Sequence, residues 1–108
     1  MIVIGPDAAL ELLAARDYYE QERTGLGEIF RVAADRTLNA IEAGPHTYPL
    51  HPFAKTPGVR RILFFPPPTF PYAFAYVVRP NGDPYVLATE QLQRAPLYWA
   101  ARLRSIRR

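Results

Sequence analysis

Residues 57–79 read PGVRRILFFPPPTFPYAFAYVVR, and how this stretch is placed decides the fold. Val59 to Phe65 is rich in β-branched and aromatic side chains, which predicts a strand. Pro66, Pro67 and Pro68 have no amide hydrogen to give to a ladder, so the chain must leave the sheet there. From Tyr72 the alternation is strict. Tyr72, Phe74, Tyr76 and Val78 fall on one face; Ala73, Ala75, Val77 and Arg79 fall on the other. A bulky face backed by a small-residue face predicts a central strand. Arg60 and Arg61 are adjacent at the start of the first strand and therefore point to opposite faces. Only one of them can face a given site; the other pairs with a helix carboxylate or lies at the sheet edge.

Downstream, Pro80-Asn81-Gly82-Asp83 is a turn, and Asn-Gly is the strongest short hairpin signal. Tyr85 to Glu90 is the returning strand. Ala95-Pro96 opens a last short helix, predicted from Leu97 to about Ser105, whose end is made basic by Arg102, Arg104, Arg107 and Arg108. Upstream, residues 45–58 contain Pro45, Pro49, Pro52 and Pro57 and show no helical period, so they predict an irregular connection. Both histidines, His46 and His51, lie in it and are read as surface residues. Two histidines without a third ligand nearby do not make a metal site.

The first part of the chain is helical in pattern. Ile2-Val3-Ile4 predicts a short strand ended by Gly5-Pro6. Pro6 and Asp7 suit the first turn of a helix, and Ala8, Leu12, Ala15 and Tyr19 fall on one stripe, predicting a helix to about Arg23. A tight turn at Thr24-Gly25-Leu26-Gly27 leads to a second amphipathic segment, with Leu26, Phe30, Ala33, Thr37, Leu38 and Ile41, stopped by Gly44-Pro45. The short turn implies an antiparallel helical hairpin, and Ala8, Ala15, Ala33 and Ala34 would let its helices approach closely. The expected class is therefore α+β. One domain, residues 1–108, has an N-terminal strand and a helical hairpin packed on an antiparallel sheet, with a short C-terminal helix.

Composition narrows the function. The chain has no cysteine, which excludes disulfides, thiolate metal sites and a cysteine nucleophile. Residues 1–54 carry four basic and eight acidic side chains, whereas residues 55–108 carry nine and two. Such asymmetry predicts a basic surface on the second half, suited to nucleic acid or an acidic protein, or else mutual neutralisation of the halves across the fold. Of the 13 basic residues only Lys55 is lysine, and arginine favours bidentate contacts to carboxylate and phosphate. The opening MIVIGP is too short and unflanked for a signal peptide, and no apolar run reaches membrane-spanning length, so the expected location is the cytoplasm without membrane association.

No nucleotide loop, zinc motif or nucleophile elbow is present, and the single serine, Ser105, makes a serine triad implausible. The acidic residues of the two helices are expected at solvated positions. The remaining chemistry lies in Arg60, Arg61, Tyr76, Arg94, Tyr98 and Arg102. Arginine can hold a phosphate and stabilise transition-state charge, and tyrosine can stack on a base or act weakly as acid or base. Against this, Tyr76 is expected in the core, Trp99 as the anchor of the last helix, and Arg102 on a solvated helix face.

The chain resembles the RelE/ParE superfamily of toxins from bacterial type II toxin–antitoxin modules. The resemblance rests on Pro6-x-Ala8-x-x-Glu11-Leu12 leading to Tyr18-Tyr19-Glu20, Gly25-Leu26-Gly27-x-x-Phe30, Pro45-x-x-Tyr48-Pro49, Gly58-Val59-Arg60-Arg61, Phe70-Pro71-Tyr72-x-x-x-Tyr76 and Arg94-x-Pro96-x-Tyr98-Trp99-x-x-Arg102. It is nearest to the ParE-like branch. The resemblance implies a cofactor-free toxin held inactive in a complex with a small cognate antitoxin, and acting on DNA gyrase or on mRNA at the ribosome. Arg60, Arg94 and Tyr98 match positions of the mRNA-cleaving set, and Arg61 and Arg102 join them as target- or nucleic-acid-binding candidates. Ala73 stands where that set has a basic residue, and Gln91 stands where ParE-like relatives often carry histidine. Cleavage therefore stays open, and a toxin acting by binding is the first expectation. An mRNA endoribonuclease and a non-toxic interaction module are the alternatives.

Overall fold

A computed structural model describes residues 1–65, 70–94 and 97–106. The element order is β1 (Val3–Ile4), α1 (Pro6–Glu22), α2 (Leu26–Ala43), β2 (Arg60–Leu63), β3 (Tyr72–Val78), β4 (Pro84–Gln91), a 3-10 turn (Ala100–Arg102) and α3 (Leu103–Ile106). Pro6 fills the first turn of α1 and Asp7 lies beside it, as the sequence predicts. Gly25 starts α2 with φ 91°, a left-handed conformation that a Cβ would strain. Gly27 lies where the helices meet, and a Cβ there would come within 2.9 Å of the Arg16 carbonyl and of Glu20. The close helix contact is thus at this glycine. Ala8 instead lets α1 approach the sheet: its carbonyl accepts the Thr89 hydroxyl at 2.9 Å.

The fold class is α+β, with two helices on a four-stranded sheet of order β1-β4-β3-β2. The expectation of an antiparallel sheet is corrected in one respect. β2, β3 and β4 form the antiparallel meander, but β1 pairs with β4 in parallel, Val3 opposite Tyr85 and Ile4 opposite Val86, so the sheet is mixed. The cause is the helical hairpin. It returns the chain to its starting end before β2 begins, and the meander then brings β4 back alongside β1 in the same direction. β2 lies at the opposite edge, where Pro49 to His51 run beside it: the Arg61 amide donates to the Pro49 carbonyl (3.1 Å) and the His51 amide to that of Val59 (2.7 Å).

Two clusters cover the two faces. Under the helices, Phe30 is fully buried amid Tyr19, Phe64, Phe70 and Tyr72, with ring centroids 5.1–5.4 Å away, within the range of favourable aromatic pairing. Phe74 and Tyr76 join the same cluster, so Tyr76 is core, and its hydroxyl donates to the Pro45 carbonyl at 2.8 Å. On the far face Val59, Ala75, Leu87, Ala88, Trp99 and Leu103 are packed together. The small residues expected opposite the aromatic face are there because the C-terminal segment lies on them.

β4 carries a bulge that alternation alone does not reveal. Tyr76 pairs with Val86 but Ala75 pairs with Ala88, which leaves Leu87 as an extra residue. Val86 faces the helices, Leu87 and Ala88 both face away, and the order is then reset, with Thr89 toward the helices and Glu90 away.

The last helix is shorter than predicted. Leu97 has φ 66°, a left-handed conformation incompatible with a helix, and regular turns begin only at Ala100. Trp99 precedes the helix, yet it anchors the segment as expected, being 1% exposed. The expectations for Pro66, Pro67, Pro68, Pro96, Arg107 and Arg108 lie outside the described residues. No helix among the described residues is long and apolar enough to cross a membrane.

Candidate functional site at a plugged sheet edge

β1 is two residues long, so β4 runs on past it. The Gly5 amide takes the Val86 carbonyl at 2.9 Å, and then the chain turns into α1. Beyond that point β4 presents bare backbone groups, and an open strand edge invites pairing with a foreign strand. Here side chains close it. Arg102 Nη1 donates to the Leu87 carbonyl (2.9 Å), the Thr89 amide donates to Glu11 Oε1 (3.2 Å), and the Tyr98 hydroxyl donates to the Thr89 carbonyl (3.2 Å).

These three side chains also hold one another. The Glu11 carboxylate accepts from Arg102 Nη1 at 2.9 Å and from Nη2 at 3.2 Å, a two-pronged pair that is among the stronger polar contacts a protein makes. Arg102 Nε lies 3.5 Å from Asp7. Arg94 lies with its guanidinium 3.8 Å from the Tyr98 ring centroid, a close cation–π contact, and 3.9 Å from Glu11 Oε2. Burial pushes the Tyr98 hydroxyl well above its ordinary range, and Glu11 adds in the same direction against Arg102 and Arg94. At neutral pH this phenol holds its proton and donates it inward. Burial disfavours the Arg102 charge, but Glu11 and Asp7 outweigh it and the cation is held more firmly than usual.

Three sequence-predicted site residues, Arg94, Tyr98 and Arg102, therefore meet at one place, though not as free groups. Arg102 is not on a solvated helix face, because Glu11 sits within reach across the β4 edge. The pairings of Arg94 and Arg102 with Glu11 and Asp7 are also neutralisation between the acidic and basic halves. Arg60 and Arg61 lie on β2, the opposite edge strand. Arg60 points to the helix side and donates from Nη1 to the Tyr48 carbonyl at 2.6 Å, so its partner is a loop carbonyl rather than a helix carboxylate. Arg61 points to the far face, opposite Ala75, and among the described residues its side chain makes no hydrogen bond.

Two features escape the sequence reading. The first is Glu11, expected to be solvated but partly buried, with only 18% of its side chain exposed. Its one legible signal is position: it lies three residues after Ala8 and four before Ala15, at the border of the apolar stripe. The second is a buried polar hub. His51 is 4% exposed, which corrects its reading as a surface histidine. Its Nε2 lies 3.0 and 3.1 Å from the two carboxylate oxygens of Glu90, and Trp99 Nε1 donates to Glu90 Oε2 at 2.8 Å. The Phe53 amide donates to His51 Nδ1 at 3.2 Å, which fixes the proton on Nε2, aimed at Glu90. The proline-rich sequence around His51 shows no period that could announce this burial, and Glu90 faces His51 only because of the bulge at Leu87. Both ends of the imidazole are engaged internally, so the hub joins a loop, a strand and the C-terminal segment and offers no free base.

Comparisons of the chain with protein-family models, with curated proteins and with solved structures return no match.

Proposed function

We propose that this chain is a toxin of the RelE/ParE kind that acts by binding a macromolecular target such as DNA gyrase, and that a small cognate antitoxin neutralises it. The observation that carries the choice of binding over cleavage is the direction of the Tyr98 hydroxyl. It donates into the fold, to the Thr89 carbonyl, and its ionisation is pushed far above neutral pH. A general acid or base for RNA cleavage must reach the substrate with a proton affinity near the working pH. Of the two cations that match the mRNA-cleaving set, Arg60 is engaged by the Tyr48 carbonyl and Arg94 is stacked on Tyr98, 3.9 Å from the Glu11 carboxylate. Binding to a target needs none of these groups to be free.

The test is inducible expression followed by assays on purified protein. Growth arrest, loss of gyrase supercoiling and intact mRNA in a translating extract are expected, with arrest relieved by a small acidic protein encoded beside this chain. An mRNA endoribonuclease is the second reading, favoured by the exposed Arg94 cation stacked on Tyr98. Under that reading mRNA is cut and Arg94→Ala abolishes the cutting. Expression without growth arrest would leave only an interaction module.

A further inference from the structure

The Glu11 carboxylate is surrounded as a bound ligand would be. Its oxygens meet two nitrogens of Arg102 at 2.9 and 3.2 Å, the Thr89 amide at 3.2 Å and Arg94 at 3.9 Å. The donors come from three separate parts of the chain, and the Arg102 fork is fixed from behind by the Leu87 carbonyl and from the side by Asp7. We propose that this is a carboxylate-binding site that the protein fills with its own side chain, so that Glu11 is an internal competitor of an acidic protein segment. A partner's Asp or Glu would take the place of the Glu11 carboxylate between Arg94 and Arg102.

Two observations favour a carboxylate over a phosphate. The site already holds a carboxylate, in the two-pronged geometry that a planar guanidinium fork matches. A phosphodiester would bring bulk to a position bounded by the Thr89 backbone. Arg94 is the accessible member of the set, with 57% of its side chain exposed against 24% for Arg102, and it supplies the point of first contact. The proposal concerns which group fills this site and holds whether or not the chain is a toxin.

The test compares the wild type with Glu11→Gln, which keeps the shape and removes the charge. The probes are a fluorescein-labelled poly-glutamate peptide and a labelled oligouridylate of equal length, followed by anisotropy at fixed salt. Glu11→Gln is expected to bind the acidic peptide about tenfold more tightly than wild type, the change that an uncompensated cation brings. Adding Arg94→Ala to that variant should remove the gain. Glu11→Asp, which keeps the charge but withdraws it by one methylene, should give a smaller gain with the fold intact. Equal peptide affinity for wild type and both variants would overturn the proposal. So would an equal or larger gain for the oligouridylate, which would mark the site as one for phosphate. Loss of fold in both variants, seen by circular dichroism, would also overturn it by making Glu11 a structural tie alone.

Discussion

The two faces of the sheet are closed by different means. Beneath the helices the cover is aromatic: Phe30, Phe64, Phe70 and Phe74 meet at ring distances typical of a well-filled core, and Tyr76 belongs to the same cluster. On the far face a smaller apolar cluster is joined by a buried carboxylate, Glu90, that binds His51 and Trp99. Apolar burial contributes in proportion to area and tolerates many arrangements, whereas a buried carboxylate accepts only the geometry that satisfies it. The helical hairpin is long and can rely on area. The C-terminal segment is short, starts from a left-handed Leu97, and needs directional bonds to stay in place.

The strongest way to break the aromatic side is Phe30→Ala. It removes a fully buried ring from the centre of its cluster and is expected to cost about 3–5 kcal/mol in urea unfolding. Glu90→Ala attacks the other face. It leaves the His51 and Trp99 donors buried without a partner, at a cost of about 2–3 kcal/mol. Trp99 is the only tryptophan, so its fluorescence should shift to longer wavelength in the folded state of this variant, while Phe30→Ala leaves the emission maximum of its folded state unchanged.

Tyr76→Phe is milder, about 1 kcal/mol at neutral pH, because one bond to the Pro45 carbonyl is lost while the ring stays. It also carries a pH signature. Burial pushes the Tyr76 hydroxyl up to about 12, above its ordinary value of 10.0. The folded state therefore holds this proton where the unfolded chain releases it. The linked stability is fully present below about pH 10 and is lost as pH rises towards about 12. Tyr76→Phe should make that alkaline decline shallower in denaturation midpoints measured across this range. The smallest effects distinguish neighbouring arginines: Arg60→Ala should cost about 1 kcal/mol through the Tyr48 carbonyl, and Arg61→Ala less than about 0.5 kcal/mol.

The aromatic face was the more legible one. Helical spacing placed Ala8, Ala15, Phe30, Thr37 and Ile41 in the core, and strand alternation placed Phe74 and Tyr76, because each follows from a local period. Asn81-Gly82 marked the turn between β3 and β4 for the same reason. The far face was less legible. His51 lies 39 residues from Glu90 and 48 from Trp99, so no period connects them. The candidate site was half legible: Arg94, Tyr98 and Arg102 lie close in sequence, but Glu11 lies 91 residues from Arg102 and meets it only through the fold. The parallel pairing of β1 was hidden too, since a two-residue strand carries no directional signal of its own.

The extra residue at Leu87 has a consequence for how this chain can change over time. Substitutions along β4 act one side chain at a time, but straightening the bulge with every residue kept would act on phase. With strict alternation restored and Leu87 still in the chain, Thr89 would turn away from α1 and Glu90 would turn under the helices, among aromatic rings that offer a carboxylate no donors. Loss of the Leu87 codon does the opposite: Ala88 still pairs with Ala75 and faces away, Thr89 still faces the helices and Glu90 still faces His51. Only at its bulge can this strand lose one residue without exchanging its faces.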